Sequence, residues 1–148
     1  MVDHVVKPFP TLTPHELYAL LRLRSEVFVV EQKCVFLDLD NKDIYCHHLM
    51  LFDNKQLISY ARLVPPGISY REISLGRVVT AKEARNKGAG KKLMKLAVEY
   101  CRKIFGDGPI RIGAQHYLEK FYTEIGFTAT GDIYDEDGID HIEMIMYK

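Results

Sequence analysis

A chain of 148 residues suits one compact domain that buries about two-thirds of its extended surface. Hydrophobic residues at 47% and charged residues at 27% are the ordinary globular mixture, which excludes disordered and fibrous classes. Twenty basic and twenty acidic side chains cancel, excluding the broad cationic surface that nucleic acid or an anionic membrane requires, although a local cluster can still hold a small anion.

No apolar run reaches the roughly 18 residues of a membrane-spanning helix. Met1-Val2-Asp3-His4 lacks the basic and then apolar stretch of a secretory leader. Cys34, Cys46 and Cys101 are odd in number and lack metal-ligand spacing, so a reducing cytoplasm is expected and no metal site. No repeat, linker or low-complexity tract divides the chain, and residues 1–148 are expected to form a single domain.

The first helix opens at Thr13-Pro14-His15-Glu16, where Thr13 caps, Pro14 suits the first helical position and Glu16 completes a capping box. Leu17, Leu20, Leu21, Arg24, Val27, Phe28 and Glu31 follow one face, with Arg24 and Glu31 interrupting the apolar stripe. Residues 48–53 and 57–63 flank Asn54-Lys55-Gln56 as a β-hairpin, and residues 72–80 form another alternating strand. A second amphipathic helix runs from about Gly88 to Phe105, with Leu93, Leu96, Ala97, Tyr100, Cys101 and Ile104 on its apolar face. Residues 110–114 form a short strand, and Tyr117 to Ile125 a short helix closed by Gly126. Strands near 127–133 and 140–147 finish the chain. Hairpins and helix-separated strands together predict an α/β (α+β) fold with a mixed sheet covered by helices.

The stretch most informative about chemistry is Arg85-Asn86-Lys87-Gly88-Ala89-Gly90-Lys91-Lys92, between a strand and the long helix. The glycines allow close backbone approach, the first helical turn leaves N–H groups unpaired, and the cations add charge, so the segment suits a pyrophosphate. A glycine-rich turn with a solvated basic helix start accounts for it equally. It is not a P-loop, because Arg85 stands where the first glycine belongs and Lys92 where Ser or Thr should follow. Nor is it the dinucleotide fingerprint, because Leu93 occupies the third glycine position.

Arg85-Asn86-Lys87-Gly88-Ala89-Gly90 resembles the acyl-CoA pyrophosphate loop of the GNAT N-acetyltransferase family, Arg/Gln-x-x-Gly-x-Gly/Ala. Phe121-Tyr122-Thr123-Glu124-Ile125-Gly126-Phe127 resembles the family's later motif. Glu16-Leu17-Tyr18, Arg24, Val27-Phe28-Val29-Val30-Glu31-Gln32, Tyr60-Ala61-Arg62, Gly76-Arg77-Val78, Gly113-Ala114-Gln115 and Glu136-Asp137-Gly138-Ile139 are similar to its small bacterial ElaA-like branch. The resemblance covers roughly residues 12–147. It implies a GNAT-like acyl-CoA N-acyltransferase fold, its mixed central sheet splayed between the strands at 72–80 and 110–114 to admit pantetheine. It implies acetyl-CoA as acyl-donor cosubstrate, held by Val78 and Val79 at pantetheine and by residues 85–91 (Arg85, Asn86, Lys87, Gly88, Ala89, Gly90 and Lys91) at the pyrophosphate. It gives Tyr122 the position whose hydroxyl protonates the leaving thiolate. The implied reaction is direct acetyl transfer to a primary amine of a small molecule or peptide; a non-catalytic acyl-CoA-binding sensor or interaction module is the alternative. Oligomeric state stays open, homodimers being common in the family.

On its own pattern Tyr122 also reads as core, beside Leu118, Phe121 and Ile125 on one helix face. Candidates for the base that deprotonates the amine are Glu72 and Ser74 on one strand face, His48 at the start of the hairpin and His141 at the start of the last strand. Each also reads as an ordinary strand-end or sheet-edge residue. The acidic run Asp132, Asp135, Glu136, Asp137, Asp140 and Glu143 either attracts an ammonium group or is a solvated hairpin. Arg24, Glu31, Arg62 and Arg77 sit inside apolar patterns and need partners, as an internal ion-pair network or as a substrate-carboxylate site. Asp38-x-Asp40-x-x-Asp43 lacks the glycine and terminal glutamate of a calcium loop.

Overall fold

The structure, a computed structural model, describes residues 1–147. Eight strands form one mixed sheet: β1 (Val2–Pro8), β2 (His47–Asp53), β3 (Gln56–Val64), β4 (Ile73–Thr80), β5 (Ile110–Gln115), β6 (Thr128–Ala129), β7 (Tyr134–Glu136) and β8 (Ile139–Met146). Their order is β1-β2-β3-β4-β5-β8-β6, with β7 also on β8. Helices α1 (Pro14–Arg24), α2 (Ala89–Phe105) and α3 (Glu119–Ile125) connect and cover them.

Strand alternation sorts side chains between two cores. Leu49 and Leu51 of β2, with Ala61 and Leu63 of β3, meet Leu93, Met94, Ala97 and Cys101 of α2. Met50 and Tyr60 point the other way, toward Leu20 and Leu23 of α1. Burial pushes the Cys101 thiol up to about 12, which leaves it inert as a nucleophile.

The expected capping box starts α1: Thr13 Oγ1 accepts the Glu16 N–H at 3.1 Å, and Glu16 Oε1 accepts the Thr13 N–H at 2.8 Å. The α-helix does not extend to Glu31, however. From Ser25 to Glu31 the backbone widens into π-helix, with the Gln32 N–H bonded to the Val27 carbonyl at 3.0 Å. The run Val27-Phe28-Val29-Val30 crowds an α-turn. The wider turn also carries Glu31 off the face that bears Arg24.

Two differences affect the sheet. β1 adds an edge strand, paired antiparallel to β2 from Val2 opposite Asp53 to Pro8 opposite His47, where no strand is expected from the sequence. The strand expected near 127–133 is reduced to the stub β6, with β7 a second stub on β8, whereas β8 matches the strand expected near 140–147. The decisive feature lies at the centre. β4 runs parallel to β5 through only two pairs, Ile73 with Ile110 and Ser74 with Arg111, whereas β5 continues along β8 as far as Gln115. Beyond Ser74 the sheet opens.

Candidate active site

The opening between β4 and β5 is a cleft of about 920 Å³, bordered by residues 74–80 on one side and by Ile112, Gly113 and Gln115 on the other. Gln32 and Gln115 bridge its mouth by reciprocal amide bonds of 3.1 and 3.2 Å. Cys34 Sγ donates to the Asp137 carbonyl at 3.1 Å beside them.

At one end stands the glycine-rich turn. Gly88 adopts φ of +81° and caps α2, a left-handed conformation that a side chain would strain. The N–H groups of the first helical turn that follows have no intrahelical acceptors and carry the positive end of the helix dipole. Arg85 and Gly90 border the cleft; Lys87, Gly88 and Ala89 line a smaller hollow of about 330 Å³ beside the β2–β3 turn. Asn86 and Lys91 border neither hollow. Arg85 is held in place: its terminal nitrogens bind both Glu31 oxygens at 2.5 and 2.8 Å, and its Nε donates to the Thr80 carbonyl at 3.1 Å.

Tyr122 enters the cleft from α3, with 5% of its surface exposed. Its ring packs edge-on against Phe121 and Phe127, at centroid distances of 5.2 and 6.0 Å. The Phe127 N–H bonds to the Tyr122 carbonyl at 3.0 Å and the Gly126 N–H to the Thr123 carbonyl at 3.1 Å, a Schellman closure with Gly126 at φ +125°. Gly126-Phe127 therefore fixes the turn of helix that carries Tyr122. Burial raises the phenol pKa of Tyr122, keeping the proton on oxygen.

The domain family that matches residues 26–148 is the acetyltransferase (GNAT) domain. The chain belongs to the GNAT acetyltransferase family. Protein ElaA of Escherichia coli is 38% identical over 135 residues, 90% of this chain and 88% of that one. A UPF0039 protein of Synechocystis is 43% identical over 138 residues, covering 93% of this chain and 90% of the relative. Among solved structures, an acyl-CoA N-acyltransferase from Pseudomonas aeruginosa superposes with a TM-score of 0.93 at 40% identity, covering 99% of both chains. The crystal structure of Escherichia coli ElaA superposes with a TM-score of 0.92 at 34% identity, again covering 99% of both chains. The splayed mixed sheet is therefore the GNAT fold.

Within this GNAT cleft the sequence candidates separate. Val78, Val79, Ser74, Tyr122 and His141 all border it. Glu72 and His48 do not. Glu72 lies outside, 3.0 Å from Arg111, which holds its carboxyl below the usual range. His48 is fully buried between the Asp43 carbonyl, 2.9 Å from Nε2, and the Tyr60 hydroxyl, 2.6 Å from Nδ1. A carbonyl only accepts, so Nε2 carries the proton and Nδ1 accepts from Tyr60. His141 is arranged differently. Its Nδ1 donates to the Ile139 carbonyl at 2.8 Å, leaving Nε2 as the free lone pair, 3.5 Å from Glu136.

The charged residues of the apolar stripes form a closed ring. Asp38 bridges Arg24 and Arg77, each at 2.8 Å; Asp43 bridges Arg24 and Arg62 at 2.8 and 3.0 Å; Asp40 bridges Arg62 and Arg77 at 2.7 and 3.4 Å. Burial alone would raise the Asp40 and Asp43 carboxyls, but Arg62 and Arg24 override it and hold both low. The internal network is thus the role of the three arginines, while Glu31 pairs outside it with Arg85. The aspartates that make a poor calcium loop are its counter-ions, a role signalled by three aspartates close in sequence facing three arginines in apolar segments.

Proposed function

We propose that the chain transfers the acetyl group of acetyl-CoA directly to a primary amine. The observation that carries this reading is the arrangement of three features along one cleft: the first α2 turn at its end, where Gly90 borders the cleft while Gly88 and Ala89 line the smaller hollow, the β4 edge without a β5 partner, and Tyr122 on the cleft wall. They fit the donor in sequence. The amides of the first α2 turn suit a pyrophosphate, the open β4 backbone at Val78 and Val79 suits the amide-bearing pantetheine arm, and Tyr122 lies at the thiol end. Bound there, the thioester supplies an activated acyl group to an attacking amine.

The chain's own residues provide for the protons. The acceptor arrives as an ammonium and must lose a proton before it attacks. His141 Nε2 is a lone pair at the cleft, placed to take that proton. Tyr122, kept protonated by burial, donates to the departing sulfur. Ser74 sits where the strands part, and its neutral hydroxyl is too weakly basic to take the ammonium proton. Glu136 and Asp137 at the same end favour a cationic acceptor.

Thiol release from acetyl-CoA, measured with a panel of primary amines that includes a polyamine, an amino acid and a lysyl peptide, tests the reading. Amine-dependent release that falls sharply in His141→Asn is expected. Tight acetyl-CoA binding without release in any amine would replace transfer by a binding module that senses acyl-CoA.

A further inference from the structure

Internal pairing uses up most of the charge that borders the cleft. Of its four permanent cations, Arg85 is bound to Glu31 through both terminal nitrogens, and Arg62 and Arg77 belong to the ring in which arginines and aspartates cancel. Lys42 is the fourth. Among the described residues no carboxylate pairs with its ammonium; Nζ donates to the neutral Ser69 Oγ at 3.2 Å. Of the carboxylates at the cleft, Glu31 and Asp40 are taken up in the same pairings, which leaves Glu136 and Asp137.

The turn that carries Lys42 is fixed. Its N–H donates to Asp40 Oδ1 at 3.1 Å, and its carbonyl accepts the Tyr45 N–H at 3.0 Å and the Cys46 thiol at 3.1 Å. A row of side chains links it to the His141 end of the cleft. Ser69 precedes Tyr70, and a Cβ on Gly113 would lie 3.0 Å from the Tyr70 hydroxyl and 2.8 Å from that of Tyr134. The two phenols therefore close over bare backbone of β5. The Tyr134 ring lies 5.8 Å from the His141 ring, and Tyr134 shares a face of β7 with Glu136.

We propose that the acceptor is a small amino carboxylate, whose ammonium enters beside Glu136, Asp137 and His141 and whose carboxylate is bound by Lys42 Nζ. The proposal rests on the acetyl-transfer reading above and names its acceptor class. A half-buried lysine without a counter-ion is left incompletely compensated, and a carboxylate on the ligand completes it. The two unlike ends also set orientation: the acidic pair attracts the ammonium and repels the carboxylate, so the amine is the group delivered to His141.

The test compares acceptors on the full chain by thiol release from acetyl-CoA. Glycine, 4-aminobutyrate and 6-aminohexanoate are each assayed against the matching carboxamide. Wild type should prefer at least one carboxylate by about tenfold or more in kcat/KM, the yield of one ion-paired hydrogen bond. The best length measures the spacing of the two charges. Lys42→Met keeps the apolar stem and should lower that preference at least about tenfold, through the KM of the carboxylate, whereas Lys42→Arg should retain it. Comparing the same acceptor pair between proteins cancels any difference in amine basicity. Melting curves verify folding, and Lys42→Gln replaces Met where they show a loss. Equal use of carboxylate and carboxamide by the wild type at every length overturns the proposal and leaves acetyl transfer standing. So does a preference that survives loss of the ammonium. Weaker acetyl-CoA binding by Lys42→Met in calorimetry would assign the cation to the donor's phosphates and overturn it too. No release with any of these acceptors, a polyamine or a lysyl peptide defeats the acetyl-transfer reading as well.

Discussion

Glu31 and Arg85 are joined by a two-pronged ion pair that ties the π-helical end of the first helical segment to the glycine-rich turn, 54 positions away in sequence. The pair holds the Glu31 carboxyl below its ordinary range and raises the guanidinium of Arg85. Because both terminal nitrogens of Arg85 are committed to Glu31, the anion site is left to backbone amides. The ordering of two variants checks this. Gly88→Val forces a β-branched residue into φ of +81° and should lower CoA affinity at least about thirtyfold, whereas Arg85→Ala should lower it by less than about fivefold. Calorimetry with CoA reads both, and the opposite ranking would make Arg85 the principal phosphate ligand.

Tyr122→Phe separates chemistry from packing. Phenylalanine keeps the ring beside Phe121 and Phe127 and removes only the hydroxyl. Melting temperature and CoA affinity should hardly change. Turnover should fall at least about tenfold, since a general acid contributes typically 10²–10⁴-fold. Wild-type turnover, under conditions where chemistry limits the rate, would remove Tyr122 from the acid role.

Much of this was legible in the sequence because it depends on local rules. Thr13 and Glu16 announce the cap of α1, Gly88 and Gly126 mark backbone that must turn left-handed, and apolar spacing places α2. What escaped depends on partners far along the chain. The Val2–Pro8 strand has no clean alternation and exists because the edge of β2 is open to it. The π-turn at Ser25–Glu31 reassigns Glu31 from the face of Arg24 to Arg85, a change that helical spacing cannot convey. The four base candidates looked alike along the chain. Burial and the opening of the sheet separate His141 and Ser74 from His48 and Glu72.

His48 makes stability depend on pH near neutrality. Burial lowers its pKa, against the opposing pull of the Asp43 carbonyl and carboxylate, so the folded state favours the neutral ring. That contribution is fully present above about pH 6.5, the unfolded value, and is lost as pH falls through the lower folded value. Melting temperature should therefore decline from pH 7 toward pH 5. His48→Gln should melt lower than wild type at pH 7 yet show a flatter decline; the partly buried His47, lowered by the same cause, supplies the remaining slope. An unchanged slope in the variant would place the titration elsewhere.

Arg24 is the keystone of the ring, because it is fully buried and binds Asp38 and Asp43 from a helix while Arg62 and Arg77 approach from strands. Arg24→Ala leaves each aspartate one remaining arginine but deprives a buried network of a cation, and should cost about 3 kcal/mol or more. The pH sign is opposite to that of a group gaining protons. Asp40 and Asp43 have folded pKa values below their unfolded value near 3.9, so their stabilisation is complete above about pH 4 and disappears as pH falls through the folded values. Removing Arg24 takes away the main partner that lowers Asp43, so the variant should lose a smaller increment between pH 4 and pH 2 than the wild type does. Urea denaturation at pH 7, 4 and 2.5 measures both quantities. A loss below about 1 kcal/mol at pH 7, with an unchanged acid limb, would show that the ring is sustained by Arg62 and Arg77 without the helix.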